Sequence, residues 1–133
     1  MARDEVATVK LLLDTHILLW AAFEPKKLSP AARTVLNQPA NSFCFSSVNI
    51  WEVVVKRALD KPDFQFDPSL LRRLLVDDGY RELSVTSDHV RRGAAWHSDP
   101  FDRLLVAQAQ AEGLTFLTAD TKIASYPASI QLV

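Results

Sequence analysis

The chain has 133 residues, 48% of them hydrophobic, a size and composition that fit one domain over residues 1–133 with a single core and no second domain. Its 15 Lys and Arg nearly balance its 16 Asp and Glu, which excludes capture of nucleic acid or an anionic membrane by the overall field and leaves only local contacts. One cysteine, Cys44, excludes an internal disulfide and a thiolate metal cage, and fits a reducing, cytoplasmic compartment.

In chain order, residues 9–13 form the first apolar run and read as a strand. Within the longer apolar stretch 11–23, Asp14 and His16 interrupt the pattern, so it reads as strand plus helix and not as a membrane span or a secretory signal. Ser29-Pro30 then places a capping side chain before a proline suited to the first helical position, and Asp67-Pro68 and Asp99-Pro100 repeat the device. Further strands are predicted at 43–46, 82–85, 115–118 and 130–133, with a helix carrying Glu52 after the second. Gly79 and Gly113 follow apolar-periodic segments, where a left-handed helix stop is expected. Most of the strands are continuously apolar, as strands covered on both faces are. Their alternation with helices predicts an α/β fold of three layers, with a mostly parallel sheet of about five strands and helices on both faces.

Ligands of open α/β sheets bind at the carboxyl edge of the strands. Four acids fall there: Asp14 behind the first strand, Glu52 near the start of the following helix, Asp102 in the first turn of the helix opened by Asp99-Pro100, and Asp120 after the fourth strand. Three of them have a structural explanation. Asn49 and Glu52 have the spacing of a capping box, Glu52 can pair with Lys56, Asp99 and Asp102 complement a helix N-terminus, and Asp120 can cap the segment after it. Asp14 resists such an explanation, because a buried strand end is a costly place for a carboxylate. Jointly, four converging carboxylates repel one another unless some are protonated or a cation sits among them. An oxygen-only donor set suits Mg²⁺ or Mn²⁺, whereas His16, His89 and His97 lack the paired spacing of a zinc site and read as surface or packing residues. Such an ion serves phosphodiester hydrolysis, by activating water and by neutralising phosphate charge.

The runs Asp14-Thr15-His16-Ile17-Leu18-Leu19-Trp20, Ser46-Ser47 with Glu52, the block from His97 to Ala109 around Asp99-Pro100-Phe101-Asp102, and Thr118-Ala119-Asp120 resemble the PIN domain, and within it the VapC-type toxins of toxin–antitoxin pairs. The resemblance covers nearly the whole chain. It implies a Mg²⁺-dependent endoribonuclease whose metal site is Asp14, Glu52, Asp102 and Asp120, with Asp14 and Asp102 as the direct ligands and the other two acting partly through water. It implies that Thr15 and Thr118 orient those acids, and that the protein is a homodimer blocked by a cognate antitoxin. Asp99 is taken as the helix cap and not as a ligand.

RNA entering over the carboxylate edge requires basic residues to offset its phosphates. Arg103, beside Asp102, is the expected substrate contact, while Lys56, Arg57, Arg91 and Arg92 read as solvated surface. Trp20, Phe23, Trp51 and Trp96 read as core or dimer packing in preference to a base-stacking platform. Two other functions fit the sequence less well. A haloacid-dehalogenase-like phosphatase needs a second Asp two residues after the first, where His16 stands; a catalytically silent PIN-like module that binds RNA or protein gives no reason for clustered charge.

Overall fold

A computed structural model describes residues 9–93 and 99–133. Five strands, β1 (Lys10–Leu13), β2 (Ser42–Ser46), β3 (Arg81–Leu83), β4 (Thr115–Thr118) and β5 (Ile130–Leu132), form one sheet in the order β3-β2-β1-β4-β5. All four pairings are parallel, with Leu11 beside Phe43 on one side of β1 and beside Thr115 on the other. The helices are α1 (Thr15–Phe23), α2 (Pro30–Leu36), α3 (Ser47–Ala58), α4 (Pro68–Asp77), α5 (Ser87–Arg92) and α6 (Pro100–Glu112).

The period-two alternation of strand side chains divides the core into two apolar layers. Leu11 and Leu13 of β1 and Leu117 of β4 point into a cluster with Ile17, Leu18, Ala32, Leu71 and Leu75 of α1, α2 and α4. Leu12 and Phe116 point the other way, against Leu105, Val106 and Ala109 of α6. Every residue of β1 from Leu11 to Leu13 is fully buried, which accounts for a run without polar alternation.

The three serine- or aspartate-proline starts form as expected. Ser29, Asp67 and Asp99 each accept backbone N–H bonds from the first turn of α2, α4 and α6, ahead of prolines whose missing N–H is no loss there. Gly113 closes α6 in the left-handed region (φ 68°), and Gly79 follows α4 at φ 89°. Two differences from the sequence reading have local causes. β3 stops at Leu83, before the expected Val85, and the Ser84 carbonyl accepts from the Gln108 amide of α6 at 3.3 Å. Helix α5 was not anticipated; it starts from a capping box in which Thr86 Oγ1 accepts from the His89 N–H and His89 Nδ1 accepts from the Thr86 N–H. Trp96 and His97 lie outside the described residues.

The chain leaves β1 in one direction along the sheet to β2 and β3, and returns on the other side to β4 and β5. The order therefore reverses between β1 and β4, and a crevice opens at their carboxyl ends, where such folds bind ligands.

Candidate metal centre

At that crevice a pocket of about 390 Å³ is lined by Asp14, Glu52, Asp99, Asp102 and Asp120, with His16, Trp20, Lys56 and Ala119. All four acids expected from the sequence are thus brought together from β1, α3, α6 and the turn after β4. Asp99 joins them while capping α6 through bonds from the Phe101 and Asp102 N–H groups at 2.8 and 3.3 Å.

The carboxylates are held individually. Asp14 extends the β1–β4 ladder through its N–H to the Leu117 carbonyl. This places its side chain beside Thr118, whose hydroxyl donates to Asp14 Oδ2 at 2.6 Å, while Oδ1 accepts from the Thr15 N–H at 2.7 Å. Thr15 Oγ1 in turn donates to Glu52 Oε1 at 2.6 Å, and Lys56 Nζ donates to Glu52 Oε2 at 2.7 Å. Thr15 and Thr118, both fully buried, touch the acids that the sequence reading assigned them to orient. Asp120 accepts from the Lys122 N–H at 2.9 Å and is exposed, so it caps its turn as well as lining the pocket.

Glu52 is not the acid of a capping box. The box lies three residues earlier: the Ser46 hydroxyl accepts from the Val48 N–H, and Asn49 Oδ1 accepts from the Ser46 N–H. With the helix N-terminus satisfied by Ser46 and Asn49, Glu52 falls in the second turn of α3, free to face the pocket. Asn49, read from sequence only as a cap, is completely buried and spends its amide donors on the Leu13 carbonyl (3.2 Å) and Thr15 Oγ1 (2.9 Å). Reversing the amide would set oxygen against the Leu13 oxygen and nitrogen against the Ser46 N–H, so its backbone partners fix its orientation. Because Asn49 donates to Thr15, the Thr15 hydroxyl proton is directed to Glu52. Nothing in the sequence marks this role beyond an asparagine three residues after a capping serine. A second tie, from the Ser46 hydroxyl to Gln108 Oε1, anchors α6, and with it Asp102, to the end of β2.

Arg103 does not take the place expected of it. Consecutive helix positions project about 100° apart, and Arg103 lines a different hollow, with Trp51, Val90, Gly93, Pro100 and Leu104. Lys56, read as solvated surface, is the basic side chain beside the acids, whereas Arg57 lies 3.9 Å from Asp67, and Arg91 and Arg92 both pair with Asp88. Of the aromatics, Phe23 stacks on Phe66 at the edge of the core, and Trp20 lines the pocket beside His16. Trp51 packs edge-on against Phe101 but is 50% exposed.

The electrostatics show an excess of negative charge. Burial pushes the Asp14 carboxyl above its usual range, against the lowering effect of the Thr118 hydrogen bond. Asp102 is pushed up to about 8, by desolvation first and then by the charges of Asp14, Asp99, Glu52 and Asp120. For Lys56, burial pulls the pKa down, but the hydrogen bond and charge of Glu52, with Asp99 and Asp102, outweigh it and the net shift is upward. Among the described residues, no group of three or more His, Cys, Asp or Glu side chains is arranged, as it stands, to hold a metal ion. The donor set, all carboxylate oxygen around an open pocket, fits a hard divalent cation that keeps several of its waters.

Two outcomes follow for the protein without added metal. Asp102 binds its proton more tightly folded than unfolded, so stability falls as pH rises from about 4 toward about 8; urea denaturation in EDTA should show this slope, and Asp102→Asn should flatten it. Asn49→Ala leaves the Ser46 N–H and the Leu13 carbonyl short of buried partners and should cost about 1–3 kcal/mol in the same measurement.

The comparisons with known proteins bear on the fold. No curated protein matches the chain by sequence. In overall structure it is similar to a chain of VapBC2 from Rickettsia felis bound to a DNA fragment from their promoter (TM-score 0.66, 15% identity, covering 93% of this chain and 98% of that one). It is also similar to a chain of VapBC-1 from nontypeable Haemophilus influenzae (TM-score 0.62, 16% identity, 93% and 98%) and to one of FitAcB from Neisseria gonorrhoeae (TM-score 0.59, 18% identity, 90% and 95%). The PIN domain family model matches residues 11–128, from the first buried residue of β1 almost to β5 and across every acid of the pocket, and the chain belongs to the PIN domain family.

Proposed function

We propose that this PIN domain is a metal-dependent endoribonuclease, the toxin of a toxin–antitoxin pair, which hydrolyses RNA phosphodiester bonds with Mg²⁺ or Mn²⁺. The observation that carries the reading is the convergence of Asp14, Glu52, Asp102 and Asp120, from four separated segments, on one pocket at the sheet's switch point. A bound divalent ion would supply charge neutralisation at the phosphate and a more acidic water.

The chain's own residues have separable tasks. Asp14 and Asp102 would hold the ion; burial first, and neighbouring carboxylates after it, raise their pKa values, and a cation would relieve the repulsion. Glu52 and Asp120 act through water, since Glu52 already binds Thr15 and Lys56 and Asp120 sits at the exposed rim. Thr118 and Thr15 each donate to one oxygen of an acid and so orient the lone pairs that remain. One structurally similar chain comes from a toxin–antitoxin complex of Klebsiella pneumoniae and another from a member of the VapBC family of toxin–antitoxin systems, which supports a cognate antitoxin protein as partner. The exposed apolar side chains of Trp51, Val54 and Val90 support association with a second copy. Among the described residues no helix is long and apolar enough to cross a membrane.

Purified protein should cut RNA with Mg²⁺ or Mn²⁺ and stop when EDTA is added. Asp14→Asn, which keeps the shape but removes the charge that holds the ion, should lower cutting more than about 100-fold, beyond the usual cost of an outer partner. Full activity in EDTA or in the variant would overturn the assignment; absence of both cutting and calorimetric Mg²⁺ or Mn²⁺ binding would favour a silent binding module.

A further inference from the structure

The carboxylate pocket holds a cation of its own. Five acids line it, and Lys56 is the single Lys or Arg side chain among its lining residues. Its Nζ lies 2.7 Å from Glu52 Oε2, 4.7 Å from the centre of the Phe64 ring and 5.8 Å from that of Phe101, and the side chain is 21% exposed. Two ring faces and one carboxylate thus hold the ammonium at the pocket wall. Among the described residues Glu52 is its one hydrogen-bond partner, so two of its three N–H donors remain for the pocket.

An i,i+4 Glu–Lys pair on a helix is ordinarily a solvated feature worth a few tenths of a kcal/mol. This pair is different, because Glu52 is 5% exposed at its side chain and both residues line the pocket. A positive charge there has a cost, since it repels any cation that the acids attract. If Lys56 served only to neutralise Glu52, placing it among Asp14, Asp99 and Asp102 would weaken the metal site for no return. The placement makes sense for an anion that must enter a pocket of five acids.

We propose that Lys56 receives a backbone phosphate of the RNA strand, donating to it from the N–H groups that Glu52 leaves unused. The proposal rests on the nuclease reading above and adds to it a substrate contact that the sequence placed at Arg103. Lys56 then divides the work with the carboxylates: they attract the ion, and it offsets the repulsion that they impose on the substrate.

The test uses Lys56→Gln and Lys56→Arg in the full chain, with urea denaturation to establish that both fold. Mn²⁺ affinity is measured by calorimetry without RNA, and cleavage of a mixed-sequence single-stranded RNA is followed with saturating Mn²⁺ over a series of KCl concentrations. Lys56→Gln should bind Mn²⁺ as well as or better than the parent, yet show a KM for RNA about tenfold higher, the loss of one charged hydrogen bond. Its logarithmic salt dependence should flatten by about 0.7, one phosphate contact on a single strand, and Lys56→Arg should restore both. An unchanged KM and salt slope in a Lys56→Gln protein that still cuts RNA would overturn the proposal and leave the nuclease reading intact. A parent protein that neither binds Mn²⁺ nor cuts would sink that reading, and this proposal with it.

Discussion

Asp14 sits directly behind three completely buried leucines, at the end of the central strand, and is itself 7% exposed. A carboxylate there must be hydrogen-bonded or met by a positive charge. The structure supplies hydrogen bonds from the Thr15 N–H and the Thr118 hydroxyl, but burial outweighs them and the Glu52 charge adds repulsion. Much of the surrounding architecture is organised by that problem. Thr118 faces Asp14 because β4 pairs with β1 in the register Leu13 to Leu117, Asn49 ties the end of β1 to α3, and Gln108 ties α6 to Ser46. Each of these bonds fixes the element that carries one of the acids.

What was legible in the sequence were features that act locally. The serine- and aspartate-proline starts, the left-handed glycine after α6 and the unbroken apolar strands each depend on a few adjacent residues, and each formed as expected. The acids at the carboxyl edge were legible for a related reason, since strand direction and crossover connections dictate where strand ends and helix starts fall. Less legible were choices between equivalent local patterns. Asn49–Glu52 and Ser46–Asn49 are both plausible capping boxes; what separates them is the end of β2 at Ser46, which lets that residue's hydroxyl cap α3. Arg103 and Lys56 are both one or a few residues from a site acid, and only rotation about the helix axis and packing against Phe64 and Phe101 decide which of them reaches the pocket. The capping box of α5 uses His89, a residue type outside the usual signature, so that helix was missed.

The similarity to VapBC and FitAcB chains, at 15–18% identity, speaks to the fold. The functional argument comes from the site: oxygen donors only, an open pocket, raised carboxyl pKa values and threonine hydroxyls aimed at the acids. A protein that used these residues merely as helix caps would need neither Asp102 behind the cap Asp99 on α6 nor the buried hydroxyls that orient Asp14 and Glu52.

The central claim is that acids from distant parts of the chain share one divalent ion. A crystal of the protein soaked in Mn²⁺ and measured for anomalous scattering tests it most directly. The account predicts an anomalous peak in the pocket within coordination distance of both Asp14 and Asp102; a fully soaked crystal with no peak there, or with Mn²⁺ bound only elsewhere, would contradict it.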